Sequence, residues 1–357
     1  MASSSSSSSV LVMFFLSTFV IISSMITVDA QRSHSNSHNI SLDSSLSPNT
    51  NHSSWLSPSG RFAFGFYPQG NGFAVGIWLV NQPNQQVVVW TANRDDPPVS
   101  SNSSLTLKSD GMFLITDHGR HRREIPVANF SISAPNSVRS IAYFAASSPS
   151  PAISPPSSAA MLDSGNFVVY DNKSTVIWES FGFPTDTILG GQNLYAFNEL
   201  VSSASISNHS SGRFWLKMQY DGNLVAYPVN SSRISENAYW SFGTADIGSN
   251  VMLRLNLSGF LVLLVNNTRY ESRGVTMKSV TLANGSYHGQ SGTVIHRATL
   301  DVDGIFRLYL HSNTSSRAVT VAWSALQNQC EVKGTCGLNS YCTILGNKPT
   351  AIVIRGL

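Results

Sequence analysis

Apolar residues in this chain come in short bursts, not long stripes. RFAFGFY (61–67), GFAVGIWLV (72–80), QVVVW (86–90), LTL (105–107), MFLIT (112–116), NFVVY (166–170), TVIW (175–178) and FLVLLV (260–265) are rich in β-branched and aromatic side chains. Such side chains suit a pleated, half-buried surface. Gly, Asn, Asp, Ser and Pro separate the bursts. No stretch holds the i, i+3, i+4 spacing of an amphipathic helix over a useful length. Short strands at regular intervals, with turn signals between them, predict an all-β fold.

The bursts repeat. A Ser/Asp-Gly turn followed by an alternating apolar run occurs at Ser59-Gly60, Asp110-Gly111, Ser164-Gly165, Asp221-Gly222, Ser258-Gly259 and Asp303-Gly304. Trp90, Trp178, Trp240 and Trp323 end strands that follow. One hairpin cannot bury its apolar face alone, whereas three packed about an axis can. Six copies therefore predict two domains of three, with Trp side chains filling the centres. FGFPTDTILGGQ (181–192) is the expected joint. Residues 145–158, AASSPSPAISPPSS, read as a surface insertion in the first domain that forms no central strand. Residues 31–50 are polar and read as loosely held.

Residues 10–22 are apolar but short for a membrane helix, and Val28-Asp29-Ala30 follows as a small-residue cleavage signal. Residues 1–30 thus read as a secretory signal peptide, and the mature chain as secreted and extracellular. Asn-x-Ser/Thr sequons agree with that compartment. The glycosylation candidates are Asn39, Asn51, Asn102, Asn129, Asn172, Asn208, Asn230, Asn266, Asn284 and Asn313, with Asn256 the poorest of the sequons. Charged residues make up 11% of the chain and the net charge is +3 with no basic run, so nothing points to nucleic acid. The three cysteines, Cys330, Cys336 and Cys342, cluster near the end as candidates for a small disulfide module. Three is odd, so at least one has no internal partner.

The stretch with the most chemistry is QYDGNLVAY. It sets Gln219, Asp221, Asn223, Val225 and Tyr227 at alternate positions, hence on one face of a hairpin. Two amides, a carboxylate and a phenol suit a neutral ligand rich in hydroxyls. Elsewhere the chemistry is thin. Asp301-x-Asp303-Gly304 reads as a turn, not a calcium loop, because Ile305 and Phe306 stand where further ligands belong. The histidines show no metal-ligand spacing and read as surface residues, and Arg94, Asp95 and Asp96 as turn and ion-pair residues. No cofactor is implied. No Gly-x-Ser-x-Gly, Gly-rich phosphate loop, His-Arg-Asp or Asp-Phe-Gly motif occurs, which predicts a protein that is not an enzyme.

VVVWTANRDDPPVS (87–100), MLDSGNFVVYD (161–171), WESFGFPTDTILGGQ (178–192) and NQCEVKGTCGLNSYC (328–342) together resemble the plant G-type, or bulb-type, lectin S-receptor-like kinases. The resemblance covers about residues 50–343. It implies two tandem β-prism domains, at 31–182 and 183–325, each of three antiparallel sheets with pseudo-threefold symmetry. An EGF-like segment at 326–357 would follow, truncated, its last residues being what a one-nucleotide shift of a Cys-His-Cys-His-Pro-Gly-Phe frame encodes. The resemblance also implies a mannose pattern, Gln-x-Asp-x-Asn-x-Val-x-Tyr, in each sheet. Only 219–227 matches it in full. Asn166, Val168 and Tyr170 form a weak second copy, with Leu162 and Ser164 in the first two places. Lys108, Asp110, Met112, Leu114 and Thr116 keep only Asp; Asn256, Ser258, Phe260, Val262 and Leu264 keep only Val; Asp301, Asp303, Ile305, Arg307 and Tyr309 keep Asp and Tyr. The implied partners are mannose-type glycans or glycoproteins, with a membrane receptor or a second copy as alternatives; full-length relatives sit at the plasma membrane. The rival function is a protein-interaction or decoy ectodomain whose sugar binding has decayed.

Overall fold

The computed structural model describes residues 39–353 apart from 51, 81, 83–85, 118–121, 130–153, 246, 248–250, 267–276, 287–293, 313–317, 338–339 and 347. The signal-peptide region and most of the 145–158 insertion fall outside the described residues. Those described form an all-β protein with only short 3-10 turns besides its strands.

Six four-stranded antiparallel sheets carry the fold, in two sets of three. The first set holds Ser54–Leu56, Phe62–Gln69, Gly72–Leu79 and Val87–Thr91 in one sheet; Ser45–Leu46, Ser104–Lys108, Gly111–Asp117 and Arg122–Asn129 in the next; and Ile40–Ser41, Pro156–Met161, Phe167–Asp171 and Val176–Glu179 in the third. Inward residues of all three meet in one core. Phe64 and Phe167 stack at its centre, ring centroids 3.9 Å apart, with Trp55 and Trp90 beside them. The second set is built alike, each sheet opened by one of the short strands Thr187–Leu189, Asn193–Tyr195 and Glu199–Ser205. Leucine is the commonest residue of its core, from Leu194 to Leu308. Trp240 and Trp323 are only half-buried and pack edge to face against each other, 6.3 Å apart, at its rim. They close the second core and do not fill it, contrary to the sequence expectation; leucines already occupy the centre.

Residues 181–192 run from the last strand of the first set to the first strands of the second. Leu189 packs into the first core and its neighbour Ile188 into the second. Alternate residues of one strand point opposite ways, so a single strand serves both.

Four sequence expectations fail. Residues 31–50 are not all loose: Ile40 and Leu46 are 5% and 2% exposed, each anchoring a two-residue strand that completes a sheet. Pro156–Met161, which starts inside the Pro/Ser segment, is a central strand; Pro156 is tolerated as its first residue. The histidines are not all superficial, since His296 and His311 are buried. Arg94 and Asp95 form no ion pair among the described residues. Arg94 donates to the carbonyls of Val201, Ser202, His209 and Ser210 and to Ser203 Oγ, at 2.8–3.3 Å. Asp95 accepts from the N–H and hydroxyl of Ser211. These two residues of the first set thereby grip a hairpin of the second.

The cysteine segment is docked on the second core by Val332, which is 2% exposed, and by Arg213 donating to the carbonyls of Gly334 and Thr335. Cys330 and Cys342 are disulfide-bonded and Cys336 is free. Lys348–Val353 pairs with Ser340–Leu345 as a hairpin.

Candidate functional site

Four glycine-bearing hairpins share one loop, and the 171–175 turn has the same bonds with Ser174 in the fourth place. Residues 162–166, 219–223, 256–260 and 301–305 each have the N–H of the first residue donating to the carbonyl of the fifth, and the N–H of the fourth donating to the carbonyl of the first. The fourth residue is Gly165, Gly222, Gly259 or Gly304, with φ between 84° and 89°, a conformation that glycine adopts without penalty. In the 219–223 loop the first, third and fifth side chains stand at the head of the sheet's outer face, whereas the fifth residue of the 301–305 loop, Ile305, turns into the second core.

The hairpin between 104–108 and 111–117 lacks that loop. Lys108 pairs directly with Gly111 across a two-residue turn. The sequence frame at Lys108, Asp110, Met112, Leu114 and Thr116 is therefore corrected. Met112 and Leu114 point into the first core, and the Asn position of the pattern has no counterpart. Lys108 pairs with Glu124 at 2.9 Å.

In the 219–223 loop, Gln219 Nε2 donates to the Tyr227 hydroxyl at 2.8 Å. Asp221 Oδ1 accepts the N–H of Asn223, which fixes the turn and leaves Oδ2 without a partner among the described residues. Asn223 Oδ1 accepts the N–H groups of Gly243 and Thr244, both at 3.1 Å. Its Nδ2 has no partner among the described residues. The sheet thus spends one end of each polar side chain on orienting it and offers the other. Burial pushes the Tyr227 phenol above its ordinary range, so it stays a neutral hydroxyl at any physiological pH. Val225 and Tyr227 are 3% and 2% exposed. Beside them on the same face, Trp215 lies under the Arg233 guanidinium at 3.7 Å, and Glu199 pairs with Arg233 and Lys217. With Val225 and Tyr227 closed off, the accessible polar edge of the hairpin is the one made by Gln219, Asp221 and Asn223.

The sibling faces differ in kind. Asn166 is 7% exposed and both ends of its amide are engaged: Nδ2 with Glu179 at 2.7 Å, Oδ1 with Ser180 and the N–H of Phe181. Val168 is buried, and Tyr170 is half-buried with its phenol pushed up by burial and by Glu179. The 256–264 face carries Phe260, Val262 and Leu264, and the Asn256 amide closes its own loop through the N–H of Phe260. At 301–309, Arg307 stands in the Val position and bridges Asp301 and Asp303 at 2.6–2.9 Å. Tyr309 donates to Asp301, and Arg297 stacks on the Tyr309 ring. These charges face a cavity of about 340 Å³ that Asp186 and His209 also line. Sequence reading missed the Arg307 bridge, although Asp-Gly-x-x-Arg, an i, i+4 ion pair across a tight turn, was there to be seen.

Of the glycosylation candidates, Asn39, Asn102, Asn172, Asn208, Asn230 and Asn284 are exposed. Asn51 and Asn313 lie outside the described residues, as do the side chains of Asn129 and Asn266. Asn256 is half-buried and bonded to its own loop. No group of three or more metal-ligating side chains converges among the described residues. None of the described helices is long and apolar enough to cross a membrane.

Comparison with known proteins adds the following. Residues 87–206 match the D-mannose binding lectin family; the match ends before the Gln219–Tyr227 hairpin. A G-type lectin S-receptor-like serine/threonine-protein kinase of Oryza sativa subsp. japonica is 33% identical over 335 residues, 87% of this chain and 37% of that protein. One from Oryza sativa subsp. indica is 34% identical over 336 residues, with the same coverage. The chain therefore spans little more than a third of these relatives. Among solved structures, a monomeric mannose-binding lectin from Gastrodia elata is 24% identical, covering 40% of this chain and 98% of its own, with a TM-score of 0.26. The snowdrop mannose-specific agglutinin, complexed with methyl-α-D-mannoside, is 19% identical over 40% of this chain and 94% of its own, with a TM-score of 0.21.

Proposed function

We propose that this chain, whose residues 87–206 match the D-mannose binding lectin family and which is 33% identical over 335 residues to a G-type lectin S-receptor-like kinase of Oryza sativa, is an extracellular, non-catalytic glycoprotein that binds mannose-type glycans at Gln219, Asp221, Asn223, Val225 and Tyr227. One observation carries the reading. Of the four glycine-bearing loops, only 219–223 presents a carboxylate oxygen and an amide Nδ2 without partners among the described residues, beside an amide and a neutral phenol already oriented by each other. Hydroxyls of a sugar can both donate to and accept from that set. Asn166, Val168 and Tyr170 would contribute weakly, because the Asn166 amide is already taken. The partition into two lectin domains at 31–182 and 183–325 with a partial EGF-like segment at 326–357 belongs to the same proposal.

Each hydrogen bond made in competition with water adds only about 0.5–1.5 kcal/mol net. A single site is therefore weak, and useful retention comes from clustered ligands. Retention of the secreted chain on immobilised mannose tests the reading. It should be lost when Gln219, Asp221 and Asn223 are all replaced by alanine in a variant of unchanged circular dichroism. A second reading, a protein-interaction ectodomain, is favoured by the apolar face at Phe260, Val262 and Leu264 and by Leu257, which is 71% exposed. Absence of any glycan retention by the unaltered chain would select it.

A further inference from the structure

Phe197 does two things that a bulky apolar residue normally avoids. It takes a left-handed backbone conformation, φ 72°, and its side chain is 51% exposed. The other four non-glycine residues with positive φ among the described residues are Asp43, Asn93, Ser174 and Asn230, all small and polar, which tolerate that region. Strain held at an exposed side chain gains nothing for the core, and such strain concentrates where a ligand is met. Phe197 contacts one ring, that of Tyr220, with centroids 5.5 Å apart and planes tilted by 36°. Tyr220 is itself 63% exposed. It occupies the second position of the 219–223 loop, where the sibling loops have Asp163, Leu257 and Val302.

The pair lies next to the polar set. Glu199 pairs with Lys217, and the same antiparallel run brings 197–198 alongside Met218. Phe197 N–H donates to the Met218 carbonyl at 2.9 Å and Met218 N–H to that of Asn198 at 3.1 Å. Tyr220 is flanked in the chain by Gln219 and Asp221. Val225, the one apolar member of the sugar pattern, is almost closed off, so an exposed apolar contact beside the polar edge must come from elsewhere.

We propose that Phe197 and Tyr220 form an aromatic platform for the second pyranose ring of an oligosaccharide whose terminal mannose-type residue sits on Gln219, Asp221 and Asn223. The inference rests on the proposed sugar site. The electron-rich ring faces attract the C–H face of a pyranose, and the Tyr220 hydroxyl can bond an adjoining OH. The platform makes the site one for oligosaccharides over monosaccharides.

The test compares affinity for methyl α-mannoside with that for an α-linked mannotriose, using the full secreted chain. Tyr220→Ala should weaken mannotriose binding by about three- to tenfold and leave methyl mannoside within about twofold. Phe197→Gly should show the same selective loss while raising the melting temperature, because glycine relieves the φ strain; it also keeps the test valid if the alanine variant misfolds. Equal losses on both ligands, or an unchanged ratio, overturn the platform and leave the polar site standing. Absence of binding to either sugar by the unaltered chain overturns the platform together with the site beneath it.

Discussion

Gln219 Nε2 donates to the Tyr227 hydroxyl at 2.8 Å, joining the first and last members of the alternating polar set. The phenol accepts in that bond, and its own proton has no acceptor among the described residues. Gln219→Ala should therefore do more than remove one sugar contact: it frees the phenol to rotate. Losing one oriented hydrogen bond and loosening another corresponds to a fall of about three- to thirtyfold in mannoside affinity. Gln219→Glu keeps an acceptor but cannot donate to Tyr227, and titration calorimetry should place it near the alanine variant.

Arg94 sets a second expectation. Its guanidinium serves four carbonyls and a hydroxyl of the 201–210 hairpin. Arg94→Ala strands those acceptors in a partly buried joint, and should cost about 2–4 kcal/mol in urea unfolding. Arg94→Lys should recover only a part, since a single ammonium cannot reproduce the fork. Equal stability of Arg94→Ala and the unaltered chain would contradict this role.

Glycines in the repeated turns are not equivalent. A Cβ on Gly165 would lie 2.4 Å from Leu189 Cδ1 and 2.8 Å from the Phe62 ring, whereas one on Gly60 would meet nothing within 4 Å. Both have positive φ. Gly165→Ala should cost roughly 2–4 kcal/mol, backbone strain plus overpacking, and Gly60→Ala only the backbone share of roughly 1–2 kcal/mol. Paired denaturation curves compare them.

Stability should fall on mild acidification. Burial, then the nearby Arg297 charge, pushes His311 down from 6.5 to about 3, and burial also lowers His209 and His296. A ring held neutral in the native state and protonated in the unfolded one gives stability that is complete above about pH 6.5 and lost as pH falls toward 3. His311 alone should account for roughly 2 kcal/mol lost by about pH 5, with Asp301, raised by burial, opposing in part. A urea midpoint that does not fall between pH 7 and 5 would contradict the burial of these rings.

Much of this architecture could be read from alternation. At 219–227 the outward polar set and the inward Leu224 and Ala226 follow directly from a period of two, and the same holds at 256–264. It failed at 108–116, because a two-residue turn shifts every later side chain to the other face while leaving the Asp-Gly signal in place. Arg94 was illegible for a different reason. Its partners are backbone carbonyls more than a hundred residues away, and carbonyls carry no sequence mark. The histidines were misread because what buries His311 is Arg297 on a neighbouring strand and Gln82 of the first set, neither near it in sequence. The strands at Ile40 and Leu46 are too short to show a period at all.

The most direct measurement is calorimetric titration of the full chain with methyl α-mannoside, alongside the Gln219, Asp221 and Asn223 triple-alanine variant and Asn166→Ala. One dominant site per chain is expected, abolished in the triple variant and unchanged by Asn166→Ala. Binding that persists in the triple variant would contradict the account.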